Sequence, residues 1–154
     1  MGIDPESVRL TSLEDAELQP ASYDFITFGA VLEHLYDPSA ALKKTLGWLR
    51  PGGVIQAEVP SSNHLIAKLI NFYFGLRGTN FVTNVSPMHS PFHIYEFTLD
   101  SFIRNGARTG YEVVEHKHMV CTIFHLPAFL HPPLRAWMDR TNTGMQLTVW
   151  LKAS

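Results

Sequence analysis

The chain opens on some twenty mostly polar residues, broken by a short apolar run around Val8 and Leu10. Residues 23–29, YDFITFG, then place aromatic and β-branched side chains side by side without alternation. That pattern predicts a strand covered on both faces. In DPSAALKKTLGWL, residues 37–49, Ala41, Leu42, Thr45, Leu46 and Leu49 recur at helical spacing, while Lys43, Lys44 and Gly47 turn away as a solvated face. Asp37 is a suitable N-cap, and Pro38 suits the first helical position, where a missing N–H costs nothing. RPGG, residues 50–53, is expected to stop this helix. VIQAEVP, residues 54–60, follows as a strand with Ile55, Ala57 and Val59 on one face. Strand, helix, turn and strand in this order make a βαβ unit, with parallel strands and a right-handed crossover.

Further along, an apolar segment over 63–74 predicts a helix ending near Gly75, and the Asn-, Thr-, Ser-, Gly- and Pro-rich stretch 77–91 predicts a loop. Thr98 caps another short helix, with Leu99, Phe102 and Ile103 inward and Gly106 as its stop. GYEVVEH, residues 110–116, reads as a strand, and HPPLRAWMD as one helical turn or more. MQLTVWLKA, residues 145–153, alternates and closes the series as a final strand, near enough to the preceding one to be its antiparallel neighbour. The sum is an open α/β sheet in a single domain spanning residues 1–154.

Composition narrows the function classes. With 45% hydrophobic and 17% charged residues, the 154-residue chain can bury a core and is not of the disordered type. Its formal net charge is −2, so neither nucleic acid nor a membrane is the expected partner. No uninterrupted apolar run approaches the roughly 20 residues of a membrane span. The N-terminus has no basic region followed by an apolar one, so no secretory signal is read there. The one cysteine, Cys121, rules out an internal disulfide framework and suits a reducing, cytoplasmic compartment. A lone cysteine is more often a small core hydrophobe than a nucleophile.

The run SLEDAELQPASYDFITFGAVLEHLYDPSAALKKTLGWLRPGGVIQAEVPSSN resembles the second half of a Rossmann-like S-adenosylmethionine (SAM) dependent methyltransferase. The shared order is an acidic turn, a YD-I strand, LEH followed by DP, then LRPGG leading into a strand and a proline. PFHIYEFTLDSFIRNGARTGYEVVEH is similar to the subgroup that includes ubiquinone-pathway O-methyltransferases, and the resemblance covers about residues 8–116 plus the last strand. It implies an incomplete Rossmann-like methyltransferase sheet, mostly parallel with an antiparallel last strand. It also implies methyl transfer from SAM to a small or lipid-like acceptor. The family's acidic turn approaches the adenine, which maps to Ser12, Leu13 and Glu14; the end of its fourth strand lines the methionine part, which maps to Phe28, Gly29 and Ala30. Ligands of open parallel sheets do bind beyond the carboxyl ends of the strands, and Gly29 permits close backbone approach. Asp4 maps to the acid that holds the ribose hydroxyls, or belongs to a tag remnant.

The family's Gly-x-Gly-x-Gly loop has no counterpart here. The expectation is therefore a methyltransferase lacking its N-terminal strands and cofactor-binding half, with SAM binding by this chain in question. The alternative is a catalytically inert fragment that folds and dimerises without turnover; a third option is that another polypeptide supplies the other half. The resemblance places the absent first strand against residues 23–28, leaving an apolar edge for residues near Val8 or a second copy to cover. A homodimer or edge-strand pairing is expected on that ground.

Among single residues, Glu33 and His34 are either a turn with a capping carboxylate or chemistry. His34 and His93 map to the substrate pocket of the family and are the candidate catalytic bases, since neutral imidazole takes protons near pH 7. Histidines that merely line a wet cleft are the rival reading. Some relatives hold a divalent metal with Glu-x-x-Glu-His and a later histidine; the first acid is replaced here by Ala30, so no metal is assigned, although Glu33, His34 and His93 remain three formal ligands. His116 and His118 share one strand face but lack a third partner. Phe72, Tyr73, Phe74 and Phe81 are read as core or lid packing in preference to an acceptor pocket.

Overall fold

The computed structural model describes residues 7–80, 82–83, 92–123 and 126–154. Among these residues four strands and four α-helices follow one another as β1 (Tyr23–Gly29), α1 (Pro38–Leu46), β2 (Leu49–Pro60), α2 (Leu65–Leu76), α3 (Leu99–Thr109), β3 (Tyr111–Met119), α4 (His131–Thr141) and β4 (Gln146–Ala153). The sheet order is β1-β2-β4-β3. β1 and β2 are parallel, while β4 runs antiparallel to both β2 and β3. Three strands thus point one way and only the last is reversed, as expected.

The core forms where inward positions of β2 meet those of β4. Ile55 pairs with Leu151, Ala57 with Val149 and Val59 with Leu147, and all six are buried. Leu42 of α1 and Phe102 of α3 cover this face. Asp37 caps α1 through its side chain, accepting from the Ala40 N–H at 2.8 Å. Thr98 and Ser101 form a reciprocal capping box at the start of α3. A second cluster, built on Ile66 of α2, Ile123 and Met138 of α4, packs these two helices together away from the main core.

Several expectations change. RPGG does not end α1: Gly47 caps the helix, and Arg50 to Gly53 lie inside β2. There the register against β1 jumps, with Gly52 at φ +87°, so the motif makes an irregularity in a strand. Gly106 does not stop α3 either. It is buried where a side chain would collide with Tyr111, and the helix runs on to a left-handed cap at Gly110. Ile103, expected inward, is exposed, because Phe102 and Gly106 occupy the core-facing line. HPPLRAWMD is part of a full eleven-residue helix, with both prolines in the first turn.

β1 is not covered on both faces. Only Phe28 is buried, Phe25 is 52% exposed, and among the described residues β2 is the sole neighbouring strand. Val8 and Leu10 are exposed and form no strand, so they do not cover that edge.

Candidate functional site

The carboxyl ends of β1, β2 and β3 and the amino end of β4 converge on one rim of the sheet: Gln146 pairs with Pro60 on one side and Met119 on the other. A cavity of about 270 Å³ opens there, lined among others by Ala30, Glu33, Glu58, His93, Cys121 and Gln146. Chain geometry brings these groups together. Ala30 takes a left-handed conformation, φ +52°, with its N–H bonded to the Glu58 carbonyl at 3.0 Å. A non-glycine residue rarely adopts this conformation. It turns the chain sharply off β1 into the short helical turn Leu32–His34, which buries Leu32 and Glu33.

The Glu33 carbonyl then accepts the N–H of Ile94 at 2.8 Å, tying the segment around His93 beside His34. The two imidazoles meet edge to face, with ring centres 4.8 Å apart. His34 Nδ1 lies 2.8 Å from the Phe92 carbonyl oxygen. A carbonyl can only accept, so Nδ1 carries the proton and, in the neutral ring, Nε2 keeps its lone pair. That nitrogen stands 4.0 Å from Oε1 of Glu33.

Glu33 is the unusual member. It is fully buried, and neither carboxyl oxygen has a hydrogen-bond partner among the described residues. Burying a polar group unpaired costs a few kcal/mol. Two acceptors, the carboxyl oxygen and the imidazole nitrogen, thus face each other across a gap that suits a proton or a small cation. Donor atoms from Glu33, His34 and His93 all lie within 4.8 Å of one another. One carboxylate and two imidazoles are a donor set that suits a divalent transition metal.

The remaining site residues fall in different places. Phe28 is buried in the core, so the backbone at this position, not its ring, reaches the strand end. Gly29 has open space where a side chain would stand. Leu13 and Glu14 lie apart from the histidines, on a second cavity of about 570 Å³ shared with Tyr36, Asp37 and Ala40. The Glu14 carbonyl accepts from Lys44 Nζ at 2.7 Å, tying this turn to α1. Ser12 makes a local turn with Asp15. Asp4 and Phe81 lie outside the described residues. His116 and His118 do meet edge to face, and the His118 pKa is lowered by burial and then by the charge of His116.

Three lining residues escaped the sequence reading. Glu58 occupies an outward position near the end of β2 and accepts from Gln146 Nε2. Cys121, expected in the core, is exposed, with its thiol 3.5 Å from Oε1 of Gln146. For Glu58 a signal existed: an acid at the carboxyl end of a predicted central strand, just before Pro60. Cys121 and Gln146 meet only through the tertiary fold.

A family model described as a methyltransferase domain matches residues 2–116. This chain belongs to that methyltransferase family. The methyltransferase is 27% identical to the ubiquinone biosynthesis O-methyltransferase of Pseudomonas savastanoi pv. phaseolicola over 86 residues, which are 56% of this chain and 35% of that protein. The chain therefore matches about a third of the length of such curated relatives. SAM-dependent methyltransferases from Mesorhizobium loti and Archaeoglobus fulgidus share its fold. The first has a TM-score of 0.57 at 14% identity, covering 92% of this chain and 66% of that one. The second has a TM-score of 0.55 at 14% identity, covering 91% and 62%. The α/β methyltransferase sheet implied by the resemblance is thus the fold found.

Proposed function

We propose that this methyltransferase domain supports methyl transfer from SAM to a small or lipid-like acceptor at the rim cavity, with His34 and His93 as the groups that take the acceptor's proton. The observation that carries this reading is the convergence of Glu33, His34 and His93, the first and last of which line a cavity at the carboxyl ends of β1 and β2. SAM, when bound, supplies an electrophilic methyl group. What this chain contributes is the other side of the reaction. His34, oriented through Nδ1 by the Phe92 carbonyl, presents Nε2 as an acceptor, with the Glu33 carboxyl 4.0 Å away. Positioning carries most of the rate in such a transfer, and a base assists.

For the donor, Gly29 and Ala30 offer backbone at the rim, Leu13 and Glu14 offer the adenine side, and Ser12 shapes the turn that leads to them. Of these positions, Ala30 lines the rim cavity and Leu13 and Glu14 line the second one. The exposed apolar edge of β1 supports the further reading that a strand from a second copy, or from another polypeptide, pairs there. A second reading of the histidine site, favoured by the unpartnered Glu33 carboxyl, is a divalent cation held by Glu33, His34 and His93.

Titration calorimetry of the chain with SAM decides the donor part. Saturable binding by the chain supports an active domain, whereas none supports the inert-fragment alternative. Calorimetry with Zn²⁺ and Mn²⁺, on the native chain and on His93→Ala, separates the cation reading from the base reading: stoichiometric binding lost in the variant supports the cation.

A further inference from the structure

Of the twelve residues of α2, LIAKLINFYFGL, only Lys68, Asn71 and the phenol of Tyr73 are polar. A helix apolar on nearly all sides belongs either in a protein core or against lipid. α2 satisfies only half of that demand. Ile66 and Ala67 are buried and Ile70 packs on the cluster with Met138, which accounts for one side. Leu69, Phe72, Tyr73 and Leu76 follow the opposite stripe at the spacing i, i+3, i+4, i+7, and all four are exposed, Phe72 at 66% and Leu76 at 73%. Adjacent exposed apolar side chains of this size on one helix mark an interaction surface.

The charge around the stripe points to its occupant. Between Glu58 and Glu96 the sequence contains no acid at all, and its bases are Lys68 and Arg77. Lys68 bonds the Asn63 amide oxygen, and Arg77 lies over the Tyr73 ring and donates to its hydroxyl. Neither is neutralised by a carboxylate among the described residues. The partner helix α4 carries Arg140 next to Asp139, while its Arg135 donates to the carbonyls of Val120 and Cys121. A chain of net charge −2 therefore has an acid-free segment with two bases where it carries its exposed apolar stripe. The whole-chain charge, from which no membrane partner was expected, conceals this unevenness. A second copy docking here would bring two basic rims together, whereas an anionic bilayer complements both the apolar stripe and its rim.

We propose that α2 is an interfacial docking helix: Leu69, Phe72, Tyr73 and Leu76 enter the headgroup–acyl boundary of an anionic membrane, with Lys68 and Arg77 against lipid phosphates. Among the described residues no helix is long and apolar enough to cross a membrane, and α2, about 18 Å long at 1.5 Å per residue, lies in the membrane plane. Because α2 starts just after the end of β2, beside the rim cavity, docking would hold that cavity close to the lipid surface.

The experiment is co-sedimentation of the full chain with phosphatidylcholine vesicles, with and without phosphatidylglycerol, in low and high salt. It uses neither donor nor acceptor, so its outcome is independent of the proposed methyl transfer. The native chain is expected to pellet with the anionic vesicles and to be released by salt. Lys68→Gln and Arg77→Gln should each weaken partitioning roughly fivefold. The double variant Phe72→Ser, Leu76→Ser should weaken it more than about tenfold, with an unchanged circular dichroism spectrum as the folding control. Absence of lipid-dependent pelleting by the native chain, or equal pelleting of the folded variants, overturns the proposal. So does a lipid-free dimer that the double variant abolishes, since the stripe would then belong to a second copy.

Discussion

Replacing Glu33 by methionine should make the protein more stable. The side chain is fully buried, and both carboxyl oxygens lack a partner among the described residues. A buried, unsatisfied polar group costs about 1–3 kcal/mol. Methionine has a similar length, no hydrogen-bonding demand and enough freedom to fill an irregular space. The backbone carbonyl that anchors Ile94 is untouched by the change. The 4.0 Å approach to His34 is too long for a hydrogen bond, so little is lost there. The expected net gain is about 2 kcal/mol, or roughly 4–8 °C in thermal midpoint for a domain of this size. Glu33→Gln keeps the shape and the unmet polarity, and should gain markedly less. Differential scanning calorimetry on the three proteins gives the answer. If methionine lowers the midpoint, or merely matches glutamine, the carboxyl is satisfied in solution and is no functional reserve. If methionine stabilises, Glu33 is kept at a cost to folding, the pattern expected of a group retained for binding or proton transfer.

Gly106→Ala should destabilise by about 1–3 kcal/mol despite alanine's better helix propensity, because the added methyl would collide with the Tyr111 backbone carbonyl, which no rotamer can move aside; urea denaturation measures it. Thr98→Ala removes one arm of the capping box and should cost about 1 kcal/mol by the same assay, with Ser101→Ala non-additive to it. The pKa values of His64 and His118 are both lowered by burial, and that of His118 also by His116, so the unfolded chain binds more protons at mildly acid pH. Stability from these groups is fully present above the ordinary imidazole value near 6.5 and is lost as pH falls below it toward their lowered folded values. A midpoint that does not fall between pH 7.5 and 5 in the native chain, relative to His64→Gln, would refute this for His64.

Much of the architecture could be read directly. Continuous β-branched runs, a capping aspartate before proline, and clean alternation in the last strand each depend on neighbours in sequence, and each appears where expected. What could not be read depends on neighbours in space. RPGG resembles a helix stop until the register of β2 against β1 shows it absorbing an irregularity. Ile103 has helical spacing on its side, but Gly106 and Tyr111 decide which line of α3 faces the sheet. At the site, His34 and His93 were legible as a pair through the resemblance. That the carboxyl of Glu33 would be buried without a partner was not, because a carboxylate before a histidine looks like a cap until Ala30 turns the chain inward. Glu58 and Gln146 are 88 residues apart in sequence and meet only when β4 slots beside β2.

That placement of β4 has a bearing on how the chain acquires its shape. The strand made last among the four lies between β2 and β3, and every pairing of β3 within the sheet goes through it. While the chain emerges from the ribosome, β1, α1 and β2 can assemble as a unit, but β3 has no edge to join until residues 146–153 arrive. Such distant pairing slows folding. It also means that the rim cavity, one wall of which is Gln146, comes into being in the same step that closes the sheet. Glu33, His34 and His93 all belong to segments made before that strand, so what β4 adds last is the wall that faces them.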